Sequence, residues 1–331
     1  MTERPPLHIV SGKGGTGKTT VAAALAIALA EGGRRVLLCE VEGRQGIAQL
    51  FDVPPLPYEE RRVSVGLDGG EVYALAIDPE AALLEYLQMY YRLGRAGRAL
   101  DRFGIIDFAT TIAPGVRDVL LTGKVYEAAG RTGDEAYDAV VMDAPPTGRI
   151  TRFLNVNAEV AGLAKTGPIR RQADSIMSMM RADTTRVHLV SVLEEMPVQE
   201  TLDGMAELRA ADLPVGHVVL NLVRPALVRA STREMLESDA LGLDDVRDSL
   251  TSASLDPAAA QMLIDGGRAH LERQDLQAAQ RQVITGADRP VVELPYLPDG
   301  IDLGALFELA RGLRDDLLAA APDRAGAEVD S

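Results

Sequence analysis

Short, nearly unbroken apolar runs alternate along the chain with longer stretches of helical periodicity. The runs His8–Ser11, Arg35–Glu40, Val72–Ile77, Ala139–Asp143, Val187–Leu193, Val215–Asn221 and Val291–Leu294 are brief and rich in β-branched residues, which predicts strands. Because the runs show little polar alternation, the strands are expected to be covered on both faces. Helices are predicted over Lys18–Glu31 and Leu303–Leu318. This order predicts an α/β fold, a doubly wound and mostly parallel sheet of about seven strands. Three helical stretches interrupt the alternation, at 79–130, 156–181 and 232–282. They read as insertions packed at one end of the sheet, so residues 1–322 form one domain. The small, acidic tail 323–331 is expected to be flexible.

The first strand runs into Ser11-Gly-Lys-Gly-Gly-Thr-Gly-Lys-Thr-Thr20, which opens a helix. A glycine-rich loop in that context is a phosphate-binding P-loop. Gly12, Gly14, Gly15 and Gly17 permit backbone angles closed to other residues and let amides approach phosphate oxygens. Thr16, Thr19 and Thr20 complete the loop and the first helical turn, whose N-terminus adds partial positive charge. Lys18 is positioned for the β- and γ-phosphates, and the Thr19 hydroxyl for Mg²⁺. The spacing of Gly12, Gly17, Lys18 and Thr19 satisfies the ordinary Walker A pattern. Lys13 is additional to it. A lysine so early in the loop is either a solvated charge or a group aimed at a neighbouring subunit's nucleotide.

Carboxylates stand at the carboxyl ends of two strands, where ligands bind in sheets of this kind. Glu40-Val-Glu42 ends the second strand, and its carboxylates can orient Mg²⁺-bound or attacking water, or simply solvate a loop. Arg44 and Gln45 continue a loop expected to be mobile. Asp143 closes its strand as a Walker B-type metal residue, and Ala144–Arg149 is read as a turn sensing the γ-phosphate. Asn221 ends a later strand with an amide suited to the adenine edge. The run Asn221-Leu-Val-Arg224 lacks the lysine and aspartate of guanine-reading motifs, so ATP with Mg²⁺ is favoured over GTP.

Composition narrows the function classes. The chain has 331 residues and a formal net charge of −15, which disfavours nucleic acid and anionic membrane surfaces as partners. With one cysteine, Cys39, neither an intrachain disulfide nor a four-cysteine zinc site can form. The four histidines at 8, 188, 217 and 270 share no metal-ligand spacing. The longest apolar run, Val21–Ala30, is far short of the ~20 residues that span a bilayer. A cytoplasmic location is expected.

With these residues assembled, the chain resembles the ArsA-like anion-pump and tail-anchored-protein-targeting ATPases, the deviant Walker A branch of P-loop NTPases. The resemblance rests on Lys13–Thr20, on Asp143-Ala-Pro-Pro-Thr-Gly-Arg-Ile-Thr-Arg-Phe-Leu154, and on Pro114-Gly115, Pro197-Val-Gln-Glu-Thr201, Asn221 and Leu294-Pro-Tyr-Leu-Pro298. Glu42–Phe51 is similar to the single-domain actinobacterial members, a branch that pairs with a paralogue. The resemblance implies ATP held at a dimer interface, in a homodimer or with a paralogous ArsA-like subunit. Lys13 would cross to the partner's phosphates, and Asn221 and Pro295 would flank adenine.

The departures matter equally. The family's catalytic switch aspartate falls at Glu42, and its second-switch histidine becomes Arg149. An extra methylene displaces a carboxylate by about 1 Å, which costs on the order of 10²-fold in rate. The family's arsenite-binding cysteines and zinc Cys-x-x-Cys are absent, which disfavours arsenite coupling and zinc.

The helical stretches concentrate Leu83, Leu84, Leu87, Tyr90, Tyr91 and Leu93, and again Ile176, Met177, Met179 and Met180. Such stripes are either core or, as in the targeting relatives, a groove for a membrane-protein segment. The alternative function is therefore a chaperone or targeting factor for hydrophobic clients.

Overall fold

The computed structural model describes residues 5–66, 68–91, 115–163 and 168–319. Eight strands form one sheet: β1 (Leu7–Gly12), β2 (Arg35–Glu40), β3 (Arg61–Val65), β4 (Glu71–Ala76), β5 (Ala139–Asp143), β6 (Thr185–Ser191), β7 (Val215–Val223) and β8 (Val291–Pro295). Their order is β3-β4-β2-β5-β1-β6-β7-β8. Every pairing is parallel except β3 with β4. β3 is the strand that the apolar pattern does not predict. Its sequence, Arg-Arg-Val-Ser-Val, is mostly exposed at the sheet edge, so it needs no continuous apolar run.

Alternation across the strands separates two cores. In β2, Leu37 and Cys39 face one layer while Val36 and Leu38 face the other, all fully buried. The second layer holds α1 (Lys18–Ala30) and α11 (Leu303–Ala319), packed along each other. Six alanines in α1 let it lie close to both the sheet and α11. The opposite layer is built from α4 (Val116–Ala128), α5 (Thr147–Leu163), α6 (Pro168–Met180) and α7 (Glu195–Ala210). Completing the chain are α2 (Gly46–Leu50), α3 (Pro79–Tyr91), α8 (Ala230–Glu237), α9 (Leu243–Ser252) and α10 (Ala260–Thr285).

Among the described residues helices lie within the stretches 79–130, 156–181 and 232–282, of which 92–114 and 164–167 fall outside the description. The second begins earlier than its periodicity suggests. Residues 144–149, read as a turn, become helical at Thr147 directly after Pro145-Pro146, and Arg149 N–H already donates to Pro146 O. Proline sits well at a helix start because no intrahelical donor is needed there. Ile176, Met177, Met179 and Met180 are buried, and three of them join the layer of α4–α7. The side chains of Leu87, Tyr90, Tyr91 and Leu93, with Pro114 and the tail 323–331, lie outside the described residues. Among the described residues no helix is long and apolar enough to cross a membrane.

Candidate active site

The carboxyl ends of β1, β2, β5 and β7 converge on the loop Gly12–Thr20. β1 approaches β6 so closely that a Cβ on Gly12 would stand 2.4 Å from Val190 O. Gly17 has φ +85° and lies against Asn221, whose Nδ2 a Cβ would meet at 2.3 Å. Neither position tolerates a side chain. Gly14 and Gly15, by contrast, face open space within the chain. Thr16 closes the turn, its N–H and hydroxyl both donating to Lys13 O.

Asn221 is buried, and its Nδ2 donates to Thr16 O at 2.9 Å, bracing the loop from β7. The first turn of α1, Lys18-Thr19-Thr20, has neither a side-chain cap nor an acidic residue. Its amides and dipole are thus available to an anion.

Lys18 Nζ lies 2.9 Å from Glu42 Oε2 and 3.9 Å from Asp143 Oδ1. Thr19 Oγ1 donates to Asp143 Oδ2 at 2.7 Å, while Asp143 Oδ1 is buried without a hydrogen bond. Burial raises the Asp143 carboxyl to about 6; Lys18 and the Thr19 hydroxyl oppose that rise, and the neighbouring Glu40 and Glu42 add to it. Glu40 is buried behind this pair. Its Oε2 accepts from Ile47 N–H, and its Oε1 has no hydrogen bond. Two orphaned carboxylate oxygens beside a threonine hydroxyl form a hard-oxygen donor set of the kind Mg²⁺ and its waters take.

The loop after β2, expected to be mobile, is tied down at Gln45. Its side-chain amide donates to Leu56 O and accepts from Leu56 N–H, so both ends of one group fasten it. Gly46 then packs against the Thr19 methyl.

The remaining predicted residues stand further out. Lys13 is partly exposed and its Nζ pairs with Glu200 Oε1 at 2.7 Å, a partner 187 positions away along the sequence. Pro295 ends β8, exposed, beside Tyr296. Arg224 stacks over the Tyr296 ring at 4.2 Å, and both line a cavity of about 500 Å³ with Leu222 and Leu276. Neither Tyr296 nor Glu200 was singled out from composition, although both fall inside quoted motifs. Arg149 is exposed and lies 3.8 Å from Asp118.

Comparison with known proteins fits this arrangement. A model of the anion-transporting ATPase family matches residues 7–186. The chain is 50% identical over 312 residues to the ATPase BagA of Mycobacterium tuberculosis, covering 93% of this chain and 92% of that one. It is 28% identical over 246 residues to an arsenical pump-driving ATPase of Escherichia coli, where it spans 40% of that longer chain.

Proposed function

The chain belongs to the anion-transporting ATPase family, and from that premise we propose that it is an ATP·Mg²⁺-dependent switch that shares its site with a second ArsA-like subunit. The observation that carries the nucleotide assignment is the uncapped N-terminus of α1 beside Lys18 and the orphaned Asp143 Oδ1. The loop amides and Lys18 hold the triphosphate. Thr19 and Asp143 hold the metal, with Glu40 accepting from its waters. Mg²⁺, when bound, would draw charge from the phosphate oxygens and orient them for in-line attack. Asn221 and Pro295 flank adenine in this reading, near the Arg224–Tyr296 stack.

Glu42 gives the switch its input. Its carboxylate now occupies Lys18, so phosphate must displace it. Displacement moves the loop that continues through Arg44 to the anchored Gln45, and that movement reports an occupied site.

Lys13 supports the two-chain reading. It spends its charge on Glu200 at the surface, outside its own phosphate cradle, where a second chain can reach it. The switch carboxylate of this chain is a glutamate already engaged by Lys18. A partner that retains aspartate there would gain Lys13 across the interface. Coupling to arsenite is disfavoured, because Cys39 is buried and is the chain's one thiol. The burial of Ile176, Met179 and Met180 favours core over client groove for that stripe.

The test assays the purified full chain alone, with its paralogue, and again with Lys13→Ala. The mixture should hydrolyse ATP about tenfold or more faster than either chain, and Lys13→Ala should remove that gain. Full activity from the isolated chain, or no loss in the mixed Lys13→Ala complex, would overturn the shared site.

A further inference from the structure

Glu42, the partner of Lys18, also lines a cavity of about 170 Å³. Its walls carry three guanidinium groups, Arg44, Arg117 and Arg149, and two carboxylates, Glu42 and Asp118. The pairings are loose: Arg149 to Asp118 is 3.8 Å and Arg44 to Glu42 is 3.9 Å, both too long for hydrogen bonds. Among the described residues none of the three guanidinium groups donates a hydrogen bond. Their charge outnumbers the two carboxylates, one of which is already shared with Lys18, in a chain whose net charge is −15.

A concentration of unspent, planar donors around a polar-walled space matches a tetrahedral oxyanion. Position then selects which one. Glu42, whose carboxylate pairs with Lys18, forms one wall of the cavity. Phosphate cleaved from a nucleotide held by Lys18 would lie across that wall, with ADP filling the route back.

We propose that this arginine-lined cavity is a binding site for inorganic phosphate, which takes up the product of hydrolysis as it leaves the P-loop. The proposal rests on the nucleotide assignment above and adds the product's path. Glu42 gates that path. Paired with Lys18, it closes the P-loop side; displaced, it opens the cavity to the newly formed dianion. Arg117 and Arg149 extend from α4 and α5 respectively, so phosphate bound between them also joins two helices of the layer that packs on β5.

The experiment titrates inorganic phosphate into the full chain saturated with ADP and Mg²⁺, read by phosphorus-31 line broadening. The double variant Arg117→Gln/Arg149→Gln should weaken phosphate about tenfold or more, because two charge-assisted contacts are lost. Asp118→Asn should tighten it severalfold by removing an opposing charge, a direction that a misfolded variant cannot give. ADP affinity should be the same in all three proteins.

Equal phosphate affinity in all three would overturn the site. So would phosphate binding lost in Lys18→Ala yet unchanged in the arginine double variant, since the ion would then sit on the P-loop. If the parent takes up no ADP·Mg²⁺, the nucleotide assignment fails on that result alone. The same titration on the free chain still decides the cavity.

Discussion

The sheet gathers polar side chains toward both of its ends, and the two ends are built on different rules. At the carboxyl end, Lys18, Glu40, Glu42 and Asp143 bring charge together and leave two carboxylate oxygens unmatched. Toward the amino end, His8, His188 and His217 stack across β1, β6 and β7, with ring centroids 5.3 and 5.5 Å apart. His188 has both nitrogens engaged there. Its Nδ1 accepts from the backbone N–H of His217 at 3.2 Å, so in the neutral ring the proton sits on Nε2 and is donated to His8 Nδ1 at 3.0 Å. A Cβ on Gly216 would stand 2.9 Å from His188 Nδ1, so that position opposite the ring is kept bare. One end is built of neutral stacked rings centred on the fully paired His188; the other is charged, with Asp143 Oδ1 and Glu40 Oε1 unmatched. A buried polar group that is fully paired fixes a structure, and one left partly unpaired is held ready for a ligand.

The largest expected effect separates the ends outright. Lys18→Ala should lower ATP affinity at least about 100-fold by calorimetry, because it removes the cation facing the phosphates. The histidine stack, on β1, β6 and β7, should be little changed. Unchanged ATP affinity would remove the P-loop assignment.

Next in size is the response to acid, where the ends should act with opposite sign. Burial, with Arg186 and the neighbouring rings, lowers His8 to about 4 and His188 well below its ordinary value. Between pH 6.5 and 4 the unfolded chain therefore binds more protons at these rings, and their contribution to stability is lost as pH falls. Asp143, raised to about 6, binds a proton in the folded chain first, so the metal-free chain gains from it as pH falls from about 6 to 4. The His8 and Asp143 contributions are each on the order of 3 kcal/mol. Denaturant melts of the metal-free protein should show a steeper acid loss in Asp143→Asn and a shallower one in His8→Gln. Parallel profiles for both variants and the parent would erase the distinction.

The smallest effect concerns the contact that ties up Lys18. Glu42→Gln should tighten ADP about two- to fivefold, because the nucleotide no longer competes with a carboxylate for that cation. Weaker ADP binding would mean that Glu42 assists the nucleotide rather than opposing it.

Much of this was legible in the chain because local chemistry wrote it there. β2 and β5 begin and end where their apolar runs do, at Arg35–Glu40 and Ala139–Asp143. The P-loop declares itself through glycines that only a phosphate cradle needs. What escaped depends on distance in sequence or on exposure. His8 and His188 are 180 positions apart, and no spacing rule joins residues that meet only through strand order. The same holds for Lys13 with Glu200. Asn221 was read as an adenine-facing amide; its tie to Thr16 O needed the crossover that brings β7 beneath the loop. β3 stayed hidden because an edge strand with one covered face keeps polar residues.

Cys39 sits near the carboxyl end of β2, fully buried, its thiol pushed far up by burial and so held as the unreactive neutral form. The native chain is therefore silent to thiol reagents while folded. A single cysteine placed on the loop after β2, or beside Lys13, would carry a fluorophore or crosslinker alone, with no native residue to remove first. The same inertness turns Cys39 into a clock for unfolding: the moment it can be alkylated, the sheet has opened.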